Sequence, residues 1–248
     1  MSRENVTRRL GVALVLSLLV AGSLSAYVLL NPLRWWEAPP TLIVDSRGQS
    51  SITDGDGGLS NTIAAINSNA GWNGAGSGTV ITAVPGSVAT WTLGDGIPML
   101  SFQDPANGCK GTCLAATYTG YANPAGDGTY RFFDSDIITN NRYAWASTDE
   151  PDGCASEFFI EGVMVHEVGH LLGIDHTNVT GATMYPSVAS CNNGPATIEA
   201  DDRAALNALY TGSGPTGCTL LPSGAACTSG SQCCSGQCKG KPNAKKCS

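Results

Sequence analysis

Histidine is scarce in this chain of 248 residues: there are three, His166, His170 and His176. Any site that needs imidazole must come from one short stretch. Charged residues are also few, at 13% of the chain, while glycine numbers 31. That balance disfavours a helical bundle and suits a loop-rich extracellular fold. Basic residues are outnumbered, 13 Lys and Arg against 20 Asp and Glu, for a net charge of −7. Nucleic-acid binders show basic patches, so the charge argues against that class. No Walker motif occurs and no G-x-G-x-x-G run follows a strand, so nothing points to a nucleotide or organic cofactor.

What is present is concentrated in one run, His166-Glu167-Val168-Gly169-His170-Leu171-Leu172-Gly173-Ile174-Asp175-His176. It reads H-E-x-x-H-x-x-G-x-x-H. Residues four apart on a helix share one face, so His166 and His170 stand one turn above each other. Two imidazoles so placed can hold one zinc at roughly 2.0–2.1 Å each. Gly173 allows a sharp turn through positive φ. The chain can then return His176 as a third ligand. Three protein ligands leave a fourth position for water, the catalytic rather than the closed structural arrangement. Glu167 adjoins the first ligand and can reach that water as general base.

With Thr183-Met184-Tyr185-Pro186 following, eight residues from His176 to Met184, this stretch resembles the metzincin zinc peptidases, and its Met-Tyr-Pro form looks like the matrixin branch. Thr177 after the third histidine fits the same branch. The segments Leu114 to Gly120, Phe132 to Asp136 and Ile198 to Tyr210 extend the resemblance over roughly residues 35 to 211. It implies an α+β catalytic domain, a twisted mixed sheet with an active-site helix and a C-terminal helix. It also implies one catalytic zinc and peptide substrates. Edge strand Leu114, Ala115, Ala116 and Thr117 would take the substrate by strand addition. Tyr185 and Pro186 would wall the S1′ pocket, Met184 would floor the metal, and Asp201 would brace the methionine turn. Gly162, one turn before His166, suggests an open pocket for a large apolar residue. Calcium at Asp127, Asp134 and Asp136 stands beside a solvated acidic loop as an equal alternative. Many matrixins carry a second zinc on further histidines; this chain has none to offer. The first cysteine is Cys109, so no thiolate latency segment of the family's kind is visible.

Taken in order, residues 1–26 read as a signal peptide, with Arg3, Arg8 and Arg9 before an apolar run. The uncharged stretch to residue 30 is also long enough for a membrane anchor. Residues 27–211 form the catalytic domain. Thr41 to Asp45 reads as a first strand. Asp54 to Gly58 is a turn. Leu59, Ile63, Ile66 and Ala70 mark an amphipathic helix. Strands follow at residues 79–84, 98–103, 113–121 and 130–140, then the active helix from Glu157 to Leu172, with Phe158, Val165 and Leu172 on its buried face. Bridges are expected between Cys109 and Cys113 and between Cys154 and Cys191.

Residues 212–217 are a flexible linker. Residues 218–248 hold six of the ten cysteines, four lysines and no acid. About thirty residues cannot bury an adequate core, so disulfides must supply the stability. The spacing resembles a knottin, a small disulfide-rich domain, which implies pairing of Cys218 with Cys234, Cys227 with Cys238, and Cys233 with Cys247. The chain thus reads as a secreted, monomeric zinc endopeptidase with a tail that docks on a surface or matrix partner. The alternative is a knottin-bearing binding or toxin-like protein in which proteolysis is secondary.

Overall fold

The computed structural model describes residues 26–30, 34–35, 41–76, 81–87, 91–105, 107–122, 131–210, 226–227, 238–240 and 245–247. Residues 1–25, residues 212–217 and most of the cysteine-rich residues 218–248 lie outside them. Among the described residues no helix is long and apolar enough to cross a membrane.

The elements run β1 (Val28–Leu29), β2 (Arg34–Trp35), β3 (Thr41–Asp45), α1 (Leu59–Asn67), β4 (Thr82–Gly86), β5 (Met99–Ser101), β6 (Ala115–Ala122) and β7 (Arg131–Thr139). Then come β8 (Trp145–Ala146), β9 (Phe158–Phe159), α2 (Ile160–Leu171), β10 (Ile174–Asp175), α3 (Ala200–Tyr210), β11 (Cys238–Lys239) and β12 (Lys246–Cys247). The main sheet is mixed. Strands β2, β7, β5, β3 and β4 pair in parallel in that order, and β6 adds antiparallel to β7. This is the α+β arrangement that the sequence predicts. Among the described residues β6 pairs with β7 alone.

Leu42 and Val44 of β3 are fully buried, as are Leu100 of β5 and Ile137 of β7. They meet Ile66 of α1 and Trp72 in one core with α2. Helix α1 stops at Asn67, earlier than the apolar spacing to Ala70 suggests, because Ser68 is extended. The Asn67 amide then pairs with Ala83 of β4, accepting from its N–H at 2.8 Å and donating to its carbonyl at 2.9 Å. That side chain acts as a short extra rung of the sheet. Strand β4 starts later than expected and includes Pro85, which an edge strand tolerates.

Helix α2 is apolar on nearly every side, and ten of its twelve residues are buried. A helix of that kind belongs inside a core rather than on a surface. It begins at Ile160, not Glu157. Phe158 and Phe159 pair instead with Trp145 and Ala146. Phe158 is therefore half-buried outside the helix, while Val165 and Leu172 are fully buried as expected. Indole donors meet backbone carbonyls along α2: Trp72 Nε1 donates to Val165 O at 2.8 Å and Trp35 Nε1 to Leu171 O at 2.9 Å. Tyr210 Oη donates to Leu172 O at 2.8 Å, satisfying a terminal carbonyl that the helix leaves open.

Both expected bridges form, Cys109 with Cys113 and Cys154 with Cys191, with Cα separations of 5.4 and 5.5 Å. In the tail β11 and β12 pair antiparallel, and Cys227 is disulfide-bonded. The three-bridge knottin pairing falls largely outside the described residues.

Candidate metal centre and substrate cleft

Helix α2 stacks His166 and His170 with ring centroids 4.9 Å apart. Past its end Gly173 takes φ 99°, which a side chain would strain. The chain reverses into β10, which pairs with β1 and so fixes the return path. His176 Nε2 then lies 3.3 Å from His166 Nε2 and 3.2 Å from His170 Nε2.

Hydrogen bonding on the far side of two rings sets their tautomer. His166 Nδ1 is 2.6 Å from Thr183 O, and His170 Nδ1 is 2.8 Å from Ile174 O. A carbonyl only accepts, so both Nδ1 atoms carry hydrogen and both Nε2 atoms present lone pairs. His176 Nε2 lies close enough to both for the three nitrogens to share one cation. Two bonds of ~2.05 Å at a tetrahedral angle put their nitrogens about 3.3 Å apart. The donor set and its spacing therefore fit zinc. Burial and then the neighbouring His170 hold His166 down at about 3, so its lone pair stays available to a metal. Burial and His170 lower His176 as well.

Glu167 is 5% exposed on the same helix. Burial pushes its carboxyl above the usual range, against the pull of His170, the Thr117 hydroxyl and His176. A cavity of about 630 Å³ opens beside it, lined by His166, Glu167 and His176. Of the expected substrate residues, Leu114, Ala115, Gly162, Tyr185 and Pro186 line the cavity. Ala116 and Thr117 do not line it; Ala116 pairs with Ile138, and the Thr117 hydroxyl lies 2.6 Å from Glu167 Oε2. The sequence reading missed Lys110, Thr112, Tyr143, Val188 and Pro195, which also line it. Lys110 and Thr112 could have been found, because the Cys109–Cys113 bridge closes their loop against the edge strand.

Gly162 needs a correction. A Cβ there would sit 2.9 Å from Asn193 Oδ1 and 3.6 Å from Pro195 Cβ. The space vacated by the missing side chain is filled by that loop, so the glycine does not itself deepen the pocket. Gly169 is used similarly. A Cβ there would fall 2.2 Å from Met184 Sδ, so the bare backbone admits the buried methionine beneath α2.

The brace of the methionine turn is Asp202, not Asp201. Thr183 N donates to Asp202 Oδ2 at 2.8 Å and Met184 N to Oδ1 at 3.1 Å. Glu199 N also donates to Oδ2. Asp202 shares its helical face with buried Ala205, Leu206 and Leu209. One residue back, about 100° around the helix, Asp201 faces elsewhere. It accepts from Thr177 Oγ1 at 2.9 Å and from Ala26 N at 3.1 Å.

The acids assigned to calcium divide. Asp127 lies outside the described residues. Asp134 and Asp136 are fully buried in β7, so neither belongs to a solvated loop. Asp134 accepts from Gly94 N and Ser135 N. Among the described residues neither oxygen of Asp136 has a well-formed hydrogen bond, although the Met99 backbone N–H is near enough to pull its carboxyl down. Burial, with Asp134 and Asp95 nearby, pushes Asp136 up to about 7. Among the described residues, only the three histidines and the Cys154, Glu157, Cys191 group bring three ligand atoms within 4.8 Å. The two cysteines of the second group are joined as a disulfide.

Residues 101–211 match the matrixin family model. Over 66 residues the chain is 32% identical to Metalloendoproteinase 4-MMP of Arabidopsis thaliana, covering 27% of this chain and 19% of that protein. Identity is 40% over 55 residues with Metalloendoproteinase 1 of Glycine max, 22% of this chain and 18% of that protein. It is 40% over 50 residues with Macrophage metalloelastase of Oryctolagus cuniculus, 20% of this chain and 11% of that protein. The chain thus spans about a fifth or less of the length of these relatives.

Asp202→Ala should destabilise the fold by about 3 kcal/mol, since two backbone N–H groups of the turn lose a buried charged acceptor. Asp201→Ala should cost clearly less. Urea denaturation of both variants measures the difference, and equal losses would return the bracing role to Asp201.

Proposed function

We propose that this chain, a matrix metalloprotease-like protein with a matrixin segment over residues 101–211, is a secreted zinc-dependent endopeptidase. The observation that carries this reading is the meeting of three histidine Nε2 atoms beside a buried glutamate on a peptide-sized cleft. His166, His170 and His176 would hold the zinc. When bound, the metal polarises a scissile carbonyl and makes a water acidic enough to ionise near neutral pH.

The chain's own groups supply the rest. The edge strand would offer main-chain N–H and C=O groups from Leu114 to Thr117 to an extended substrate, a mode that tolerates varied sequences. The cavity walled by Tyr185 and Pro186 takes the side chain after the cut. Glu167 takes a proton from the attacking water and returns it to the leaving amine. Its burial suits the task, because a carboxylate held above its usual range accepts a proton more readily. No side chain forms a covalent bond to the substrate.

Two finer readings accompany this one. The buried carboxylates of Asp134 and Asp136, side by side in one strand, support a calcium ion, which would supply the positive charge that the pair lacks. The lysines of residues 218–248 support a docking role for the tail on an acidic or polymeric surface. They equally suit the alternative in which binding by the tail matters more than proteolysis.

Purified protein should cleave members of a peptide library, and a zinc chelator should stop it. Glu167→Ala should keep fold and zinc yet lose about 10²–10⁴-fold in kcat; undiminished cleavage would sink the mechanism. Calcium should raise the Tm of the wild type but not of Asp136→Asn, and an equal response in both would remove calcium from that site. Deleting residues 212–248 should leave cleavage intact while retention on cells or matrix disappears. Increased cleavage would instead make the tail an inhibitor.

A further inference from the structure

Thr117 lies on the edge strand, paired with Ile137 of β7, and its side chain reaches α2. Its Oγ1 is 2.6 Å from Glu167 Oε2 and 3.0 Å from Glu167 O. A hydroxyl has one hydrogen to donate. While Glu167 is ionised, the carboxylate is the stronger acceptor and takes it. The hydroxyl also ties that base to the strand on which substrate would lie.

We propose that Thr117 is a positioning residue for Glu167: its hydroxyl pins Oε2 and leaves Oε1 to face the cleft and exchange the proton. Glu167 lines the cavity, and Oε2 is the oxygen that Thr117 engages. In the forward step a water O–H bond breaks and an Oε1–H bond forms. In the return step that bond breaks and an N–H bond forms on the leaving amine. A carboxylate free to rotate would present either oxygen, or neither, and the cost would fall on the chemical step. The proposal rests on the endopeptidase reading, but the position of the carboxylate can be examined without it.

Three proteins carry the test: wild type, Thr117→Val, which keeps the shape without the hydroxyl, and Thr117→Ser, which keeps the hydroxyl. The hydrogen bond to a charged group sets the scale. For Thr117→Val, kcat should fall about 10–100-fold with KM within about threefold and zinc content and Tm unchanged. Thr117→Ser should restore kcat to within about threefold. Crystal structures of the zinc-loaded proteins should show the Glu167 carboxylate turned in Thr117→Val and in place in Thr117→Ser. Unchanged kcat, a loss confined to Tm or KM, or a carboxylate unmoved in Thr117→Val would overturn the proposal. A wild type that cleaves nothing would defeat the endopeptidase reading, while the two carboxylate positions would still decide the role of Thr117.

Discussion

The convergence of three imidazole Nε2 atoms, with that of His176 3.3 Å from His166 and 3.2 Å from His170, is the constraint around which the rest of the molecule is arranged. Burial holds the His166 ring neutral, which keeps its lone pair available to a metal. The fold has to bring three rings together from two segments. It does so with a helical turn for two of them and a glycine reversal for the third. Carbonyls of Thr183 and Ile174 fix two of the rings from behind. Partners of this kind set ring orientation and ligand basicity in metal sites generally.

The scaffold behind those carbonyls is correspondingly rigid. Thr183 is part of a turn whose N–H groups end on Asp202, and Asp202 is anchored in the buried face of α3. Met184 fills the space that Gly169 leaves open beneath the histidine-bearing helix α2. Trp72 and Trp35, from segments distant in sequence, donate to carbonyls of the same helix. Precision at the site is thus bought by contacts from every layer of the domain. The edge strand joins this arrangement through the Thr117 hydroxyl, which links the place where a peptide would bind to the base that would act on it.

Much of this was legible from residues alone. The histidine spacing, the glycine and the methionine turn are local features, and local features survive into the fold. Strand Thr41 to Asp45 and both bridges of the catalytic region fall where the sequence places them. What escaped depends on direction in space. Choosing between Asp201 and Asp202 required the rotation of α3, although the register of Asp202 with Ala205, Leu206 and Leu209 carried that signal. The start of α2 was misjudged because Phe158 and Phe159 pair with Trp145 and Ala146, a partnership invisible to helical periodicity. Gly162 was read as empty space, but a loop thirty residues later fills it. Thr117 was read as a main-chain contact; its hydroxyl proved to face the glutamate, which only the crossing of β6 over α2 determines.

X-ray absorption at the zinc edge of the purified chain tests the metal centre most directly. One zinc per chain with a nitrogen shell at about 2.0–2.1 Å, lost together with His170→Ala, is the expected result. A sulfur shell near ~2.3 Å would place the metal on cysteines instead, and protein that binds no zinc at all would contradict the central claim.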